Sequence, residues 1–191
     1  MASTTRRLSH SRLFAITVMA SSVAFLILLG FEDYRRRTPV LYPMGTDVLV
    51  AKQLALRNLT LLLHAGIKTV VDIRPDGEDQ GQLPSHQMQQ AVEANGMRFA
   101  YIPIAHGAIP DDAVTALQQV LAQSPKPALL YCRTGNRAAR TYALALASDP
   151  HGPGLDAILG LVQSTGHSAV DLREELQARI AARAVPVGPA P

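Results

Sequence analysis

The stretch Ala128-Leu129-Leu130-Tyr131-Cys132-Arg133-Thr134-Gly135-Asn136-Arg137-Ala138-Ala139-Arg140 constrains this chain more than any other. Its leading apolar run has the length of a fully buried strand. A turn containing Gly135 follows, and then an Ala-rich helical pattern. A strand that turns directly into a helix belongs to an α/β architecture. Cys132 is the only cysteine in 191 residues. Backbone N–H groups of the turn, the positive end of the helix dipole and the Arg137 guanidinium are expected to converge on its sulfur. Such a setting favours the thiolate, which is the nucleophilic form of cysteine. A lone cysteine is more often a small buried hydrophobe, but Arg133, Arg137 and Arg140 around it argue for a nucleophile.

The rest of the domain alternates in the same way. Asp47 to Ala51, Lys68 to Ile73, Arg98 to Ile104 and Ala128 to Tyr131 read as strands. Asn58 to Ala65, Ser85 to Asn95, Pro110 to Gln123 and Ala138 to Ala147 read as the intervening helices. Leu155 to Thr165 and Asp171 to Ala182 close the domain as two more helices. The alternation predicts a mainly parallel sheet with helices on both faces. A ligand site is expected at the carboxyl ends of the strands, where Cys132 falls.

The amino-terminal region reads differently. Residues 1–12 are basic through Arg6, Arg7 and Arg12. From Leu13 to Phe31 there are 19 residues without a charge, about 28 Å of helix and close to the thickness of a bilayer core. The apolar run strengthens toward Phe25-Leu26-Ile27-Leu28-Leu29 and then meets charge, which favours an uncleaved single-pass anchor over a signal peptide. Residues 32–46, with Pro39, Pro43 and Gly45, read as a linker, residues 47–183 as the catalytic domain, and the Pro- and Ala-rich residues 184–191 as a disordered tail. Arginines flank both ends of the apolar run, so charge does not fix its orientation. The short leading segment points to a catalytic domain outside the cytoplasm, periplasmic if the source is Gram-negative.

The net charge of +3 and the pI of about 9.3 do not describe the domain. Residues 1–37 hold six arginines against Glu32 and Asp33, which leaves −1 on the remainder. A nucleic-acid partner is therefore not expected. The six histidines share no helix-face pairing, and no spacing of ligand residues reads as a metal site.

Three segments together carry a family resemblance: Gly66 to Glu78 (GIKTVVDIRPDGE), Tyr101-Ile102-Pro103-Ile104, and Tyr131 to Arg137. They resemble the phosphatase-like domain of the beta-lactamase-hydrolase-like proteins, a bacterial group sometimes fused to a metallo-hydrolase and sometimes labelled a sulfur transferase. The similarity runs from about Asp47 to Ala182 and includes the Ser164-Thr165-Gly166-His167 turn. It implies the fold of dual-specificity cysteine phosphatases, with Cys132 as nucleophile, Arg137 as the anion-binding arginine, and a metallo-hydrolase as a partner. Arg133, Thr134, Gly135 and Asn136 form the anion-binding loop between them.

The resemblance leaves the reaction open. Cysteine phosphatases place five residues between cysteine and arginine, whereas four stand here, as in rhodanese-like sulfurtransferases. A shorter loop suits a terminal sulfur better than a phosphate. The aspartate acid expected after Tyr101 to Ile104 is replaced by Ala105 and His106, and Asp111 and Asp112 read as helix-start residues. Sulfane-sulfur transfer through a Cys132 persulfide is therefore the leading expectation. Hydrolysis through a cysteinyl-phosphate is the alternative, and a non-catalytic anion- or partner-binding module is a third. His106 stands as a candidate acid, Arg74 as a helper in anion binding, and Asp76 or Glu78 as an anchor for Arg137. The Pro75-Asp76-Gly77 sequence is equally a turn. Neither reaction calls for a cofactor.

Overall fold

The computed structural model describes residues 38–183 together with Val18, Met19, 21–23, Phe25 and Leu26. Residues 1–12, most of the proposed anchor at 13–31, the start of the linker at 32–37 and the tail at 184–191 lie outside the described residues. The few described residues within 13–31 are helical, with exposed Val18, Met19, Val23, Phe25 and Leu26. Among the described residues no helix is long and apolar enough to cross a membrane. Contacts divide the chain into two units, 1–38 and 39–191.

In the second unit, five strands form one sheet in the order β1-β2-β5-β3-β4. They are β1 (Tyr42–Pro43), β2 (Val48–Ala51), β3 (Thr69–Asp72), β4 (Arg98–Tyr101) and β5 (Ala128–Tyr131). Strands β2, β5, β3 and β4 are parallel, and β1 pairs antiparallel to β2. β1 lies inside the segment expected to be a linker. Its two residues are too few to show alternation, and Pro43 is tolerated because the strand is at the sheet edge.

Each strand sends alternate side chains to opposite faces. Val48, Val50, Val71, Ala128 and Leu130 enter one core. It is covered by helices α3 (Asp111–Gln123), α4 (Asn136–Ser148), α5 (Leu155–Ser164) and α6 (Arg173–Ala182). Ala51, Val70, Leu129 and Tyr131 enter the other core, beneath α1 (Leu59–His64) and α2 (Ser85–Ala94). This is the expected α/β layering, with α4 starting two residues before the expected Ala138.

Register positions the site. Ala51 and Asp72 both pair with Tyr131, and Asp72 pairs with Tyr101 on its other side. The four parallel strands therefore end level. The segments that follow them, beginning at Lys52, Ile73, Ile102 and Cys132, leave from one edge of the sheet. A buried contact ties two of these ends together, since the Tyr131 hydroxyl donates to Asp72 Oδ2 at 2.6 Å.

Candidate active site

Cys132 directly follows the central strand β5 and is buried. Gly135 is the N-cap of α4 and adopts a φ of +93°, a conformation that glycine reaches without the clash a side chain brings. That turn aims the Gly135 N–H at Cys132 Sγ, 3.2 Å away. Space is short as well as conformation. A Cβ on Gly135 would stand 3.2 Å from His167 Nε2 and 3.4 Å from the Ala51 carbonyl oxygen. His167 Nε2 also lies 3.1 Å from the Thr134 carbonyl oxygen, so the turn after α5 braces the cysteine loop from behind. The Asn136 N–H reaches Thr134 Oγ1 at 3.4 Å. Sulfur, glycine N–H and helix N-terminus thus converge as expected from the sequence.

Arg137 is the second residue of α4, and its guanidinium reaches the Ile104 carbonyl oxygen and Glu78. Its Nη1 donates to the Ile104 carbonyl oxygen at 2.5 Å. Its Nη2 stands 2.6 Å from Glu78 Oε1 in an ion pair, but off the axis of an aligned hydrogen bond. The other carboxylate oxygen, Oε2, accepts from Arg74 Nε at 2.6 Å. Glu78 therefore serves two guanidiniums at once. Burial pushes its carboxyl up, but the Arg74 hydrogen bond and the Arg137 charge outweigh that and hold it below the usual carboxylate range.

Of the two acids considered as anchors for Arg137, Glu78 is the one that reaches it. Asp76 turns to Ser85, accepting from its N–H at 2.7 Å and its hydroxyl at 2.7 Å, and so fixes the start of α2. Arg74 is buried, and its Nη1 donates to Gln53 Oε1 at 2.7 Å. His106 stands at the same rim, largely exposed, with Nε2 3.1 Å from Glu78 Oε1. Arg133 is exposed and its Nη2 is 3.9 Å from Asp79 Oδ2. Asp111 is taken up by Arg179, and Asp112 Oδ1 accepts from the Ala113 N–H at 2.7 Å. Both are helix-start residues. Arg140, counted in the sequence among the arginines around Cys132, makes a bidentate pair with Asp171 at 2.6 Å per contact.

Sequence reasoning passed over three contributors. Gln53 carries no motif of its own, His167 was noted only as part of a turn in the family similarity, and their positions after β2 and after α5 bring them to the loop. Asp72 was hidden within an apolar run. Its burial against Tyr131 raises its carboxyl to about 6, although hydrogen bonds from the Tyr131 hydroxyl and the Arg74 N–H act in the opposite direction. Tyr131 is pushed up in turn by burial and by the neighbouring carboxylate. Among the described residues, no group of three or more His, Cys, Asp or Glu side chains is placed to hold a metal.

Two of the cavities among the described residues lie at opposite edges of the sheet. One of about 670 Å³ lies at the starting ends of β2 and β5, lined by Met44, Val48, Leu121 and Tyr142 with Asp47, Lys126 and Asp149. It is at the opposite edge of the sheet from Cys132. The other, of about 550 Å³, is lined by Arg74 and Arg133 at the nucleophile's edge.

The family model "Beta-lactamase hydrolase-like protein, phosphatase-like domain" matches residues 41–149. A beta-lactamase hydrolase-like protein of Agrobacterium fabrum is 33% identical over 100 residues, which are 52% of this chain but only 23% of that protein. A solved candidate phosphatase of Neisseria meningitidis is 27% identical and superposes with a TM-score of 0.64, covering 72% of this chain and 96% of the other. A second, from Shewanella putrefaciens, shares the fold at 18% identity and a TM-score of 0.60, covering 82% of this chain and 96% of that one.

Proposed function

Because the chain belongs to the family of phosphatase-like domains of the beta-lactamase hydrolase-like proteins, we propose that it is a cysteine-dependent phosphatase. The observation that carries this reading is the place of His106, 3.1 Å from the carboxylate that also pairs with Arg137. The sequence arguments against phosphate hydrolysis were the four-residue loop and the missing aspartate acid, with His106 as the candidate in its place. Here an imidazole, a side chain able to give and take a proton, stands beside the carboxylate that pairs with Arg137.

The chemistry then runs in two steps. Cys132 thiolate attacks phosphorus, the P–O bond to the leaving alcohol breaks, and the departing oxygen takes a proton from His106. Water then bonds to phosphorus, the S–P bond breaks, phosphate leaves as thiolate is restored, and His106 takes the proton released by water. Gly135 N–H and Arg137 hold the charged oxygens, acting where charge develops. In this scheme Glu78 positions Arg137 and His106 with one carboxylate.

A second reading keeps sulfur transfer. It rests on the four residues between Cys132 and Arg137, a short loop suited to a persulfide. Aryl phosphate hydrolysis and thiosulfate-to-cyanide sulfur transfer, assayed side by side with Cys132→Ser as control, separate the two. Phosphate release that disappears in the variant is expected. Thiocyanate formation without phosphate release would reverse the ranking, and activity that survives the substitution would exclude both. We also propose that residues 13–31 anchor the domain to a membrane, which rests on their uncharged length and is tested by whether the full chain sediments with membranes after a carbonate wash.

A further inference from the structure

The cradle at Cys132 accounts for one anion, and a second basic cavity opens beside it. Its lining includes Gln53, Arg57, Arg74, Asp79, Gln82 and Arg133. It begins where the cradle ends, since Arg133 is the residue after the nucleophile and Arg74 shares Glu78 with Arg137. The Gln53 N–H donates to the Arg133 carbonyl oxygen at 3.3 Å and closes the wall between them. Three guanidiniums thus line a space that contains one carboxylate, Asp79.

The donors there are incompletely used. Arg74 is 3% exposed, yet its Nη2 has no hydrogen-bond partner among the described residues. Asp79 Oδ2 is 3.7 Å from that nitrogen and 3.9 Å from Arg133 Nη2, beyond hydrogen-bond reach of either. Arg57 is exposed and has no ion pair among the described residues. A buried donor without an acceptor is costly, and a cleft with surplus positive charge concentrates anions. An incoming anion can replace the loosely held Asp79 carboxylate and give Arg74 and Arg133 a shared partner. Gln82 Oε1 is likewise buried without a donor, while its Nε2 is spent on the Pro75 carbonyl oxygen. It offers an acceptor to a hydroxyl.

We propose that this cavity receives a second phosphate group of the substrate, so that the substrate class is a small hydroxylated molecule carrying two phosphates. One would sit at Cys132 and the other among Arg57, Arg74 and Arg133. The assignment of the first phosphate rests on the hydrolytic reading, whereas the second site is tested separately by binding.

The test uses the full chain carrying Cys132→Ser, titrated calorimetrically with glucose bisphosphate, bisphosphoglycerate and the corresponding monophosphates. At least one bisphosphate should bind about tenfold or more tightly than its monophosphates, the scale of one additional charge-assisted contact. Adding Arg57→Ala should erase most of that preference. Asp79→Asn should strengthen it, because the competing carboxylate is gone. Equal binding of bisphosphates and monophosphates, or a preference untouched by Arg57→Ala, would overturn the proposal. Failure of aryl phosphate hydrolysis with the bisphosphate preference intact would instead remove the hydrolytic reading and leave the anion site.

Discussion

Glu78 and Asp72 show how two carboxylates near one site acquire opposite tendencies. Glu78 lies between Arg74 and Arg137, and its charge is favoured. Replacing it by glutamine leaves two cations side by side with one fewer compensating charge. Glu78→Gln should lower stability by on the order of 3 kcal/mol, as for a broken buried pair, read by urea unfolding. It should also cost activity by releasing Arg137 and His106. Asp72 is the reverse case. Its proton is held to about 6, above the unfolded value near 3.8. Between those values the folded state keeps a proton that the unfolded chain loses, so stability falls as pH rises through the window, and the loss is complete above about 6. The full effect is on the order of 3 kcal/mol. The domain should therefore gain stability on going from pH 8 to pH 5, and Asp72→Asn should remove that gain, because the Tyr131 hydroxyl can rotate to accept from an amide. A variant with the same pH slope as the parent would show that Asp72 does not set it. Glu78 contributes the opposite slope, losing stabilisation as pH falls through its lowered range, and so bears only on more acidic conditions.

At the scale of elements, the site is a junction between the level ends of four parallel strands and the start of α4. Its tightest point is Gly135, where a positive φ coincides with close approach to His167 and Ala51. Gly135→Ala should cost about 1–3 kcal/mol, measured by urea unfolding, and lower kcat more than the stability loss explains because the loop N–H moves off the sulfur. The strand–turn–helix junction was legible in the sequence because one apolar run, one glycine and one Ala-rich segment are all local signals. The parallel sheet followed from the alternation for the same reason. β1 was not legible, since a two-residue edge strand carries no period. Asp72 was hidden by its apolar neighbours, and the bracing by His167 depends on a contact across 33 residues. The pentapeptide Arg74 to Glu78 reads equally as a turn or as a support, and which acid reaches Arg137 is decided by how the turn folds. His106 was visible as a candidate, and only the fold brought it to Glu78.

At the scale of the whole molecule, the domain has its own buried core among the described residues. The two buried clusters draw on residues from Leu41 to Ile180. A chain beginning at Thr38 should therefore unfold cooperatively and retain the aryl phosphate activity of the full chain; a truncated form that is molten or inactive would contradict this. In the proposed hydrolytic reaction Cys132 passes a phosphoryl group to water. Rapid acid quenching during turnover of an aryl phosphate, followed by peptide mass analysis, reads this directly. One phosphoryl group is expected on the peptide containing Cys132, and none after Cys132→Ser. Phosphate released while that peptide stays unmodified, or one added sulfur on Cys132 after thiosulfate with no phosphoryl adduct from the ester, would contradict it.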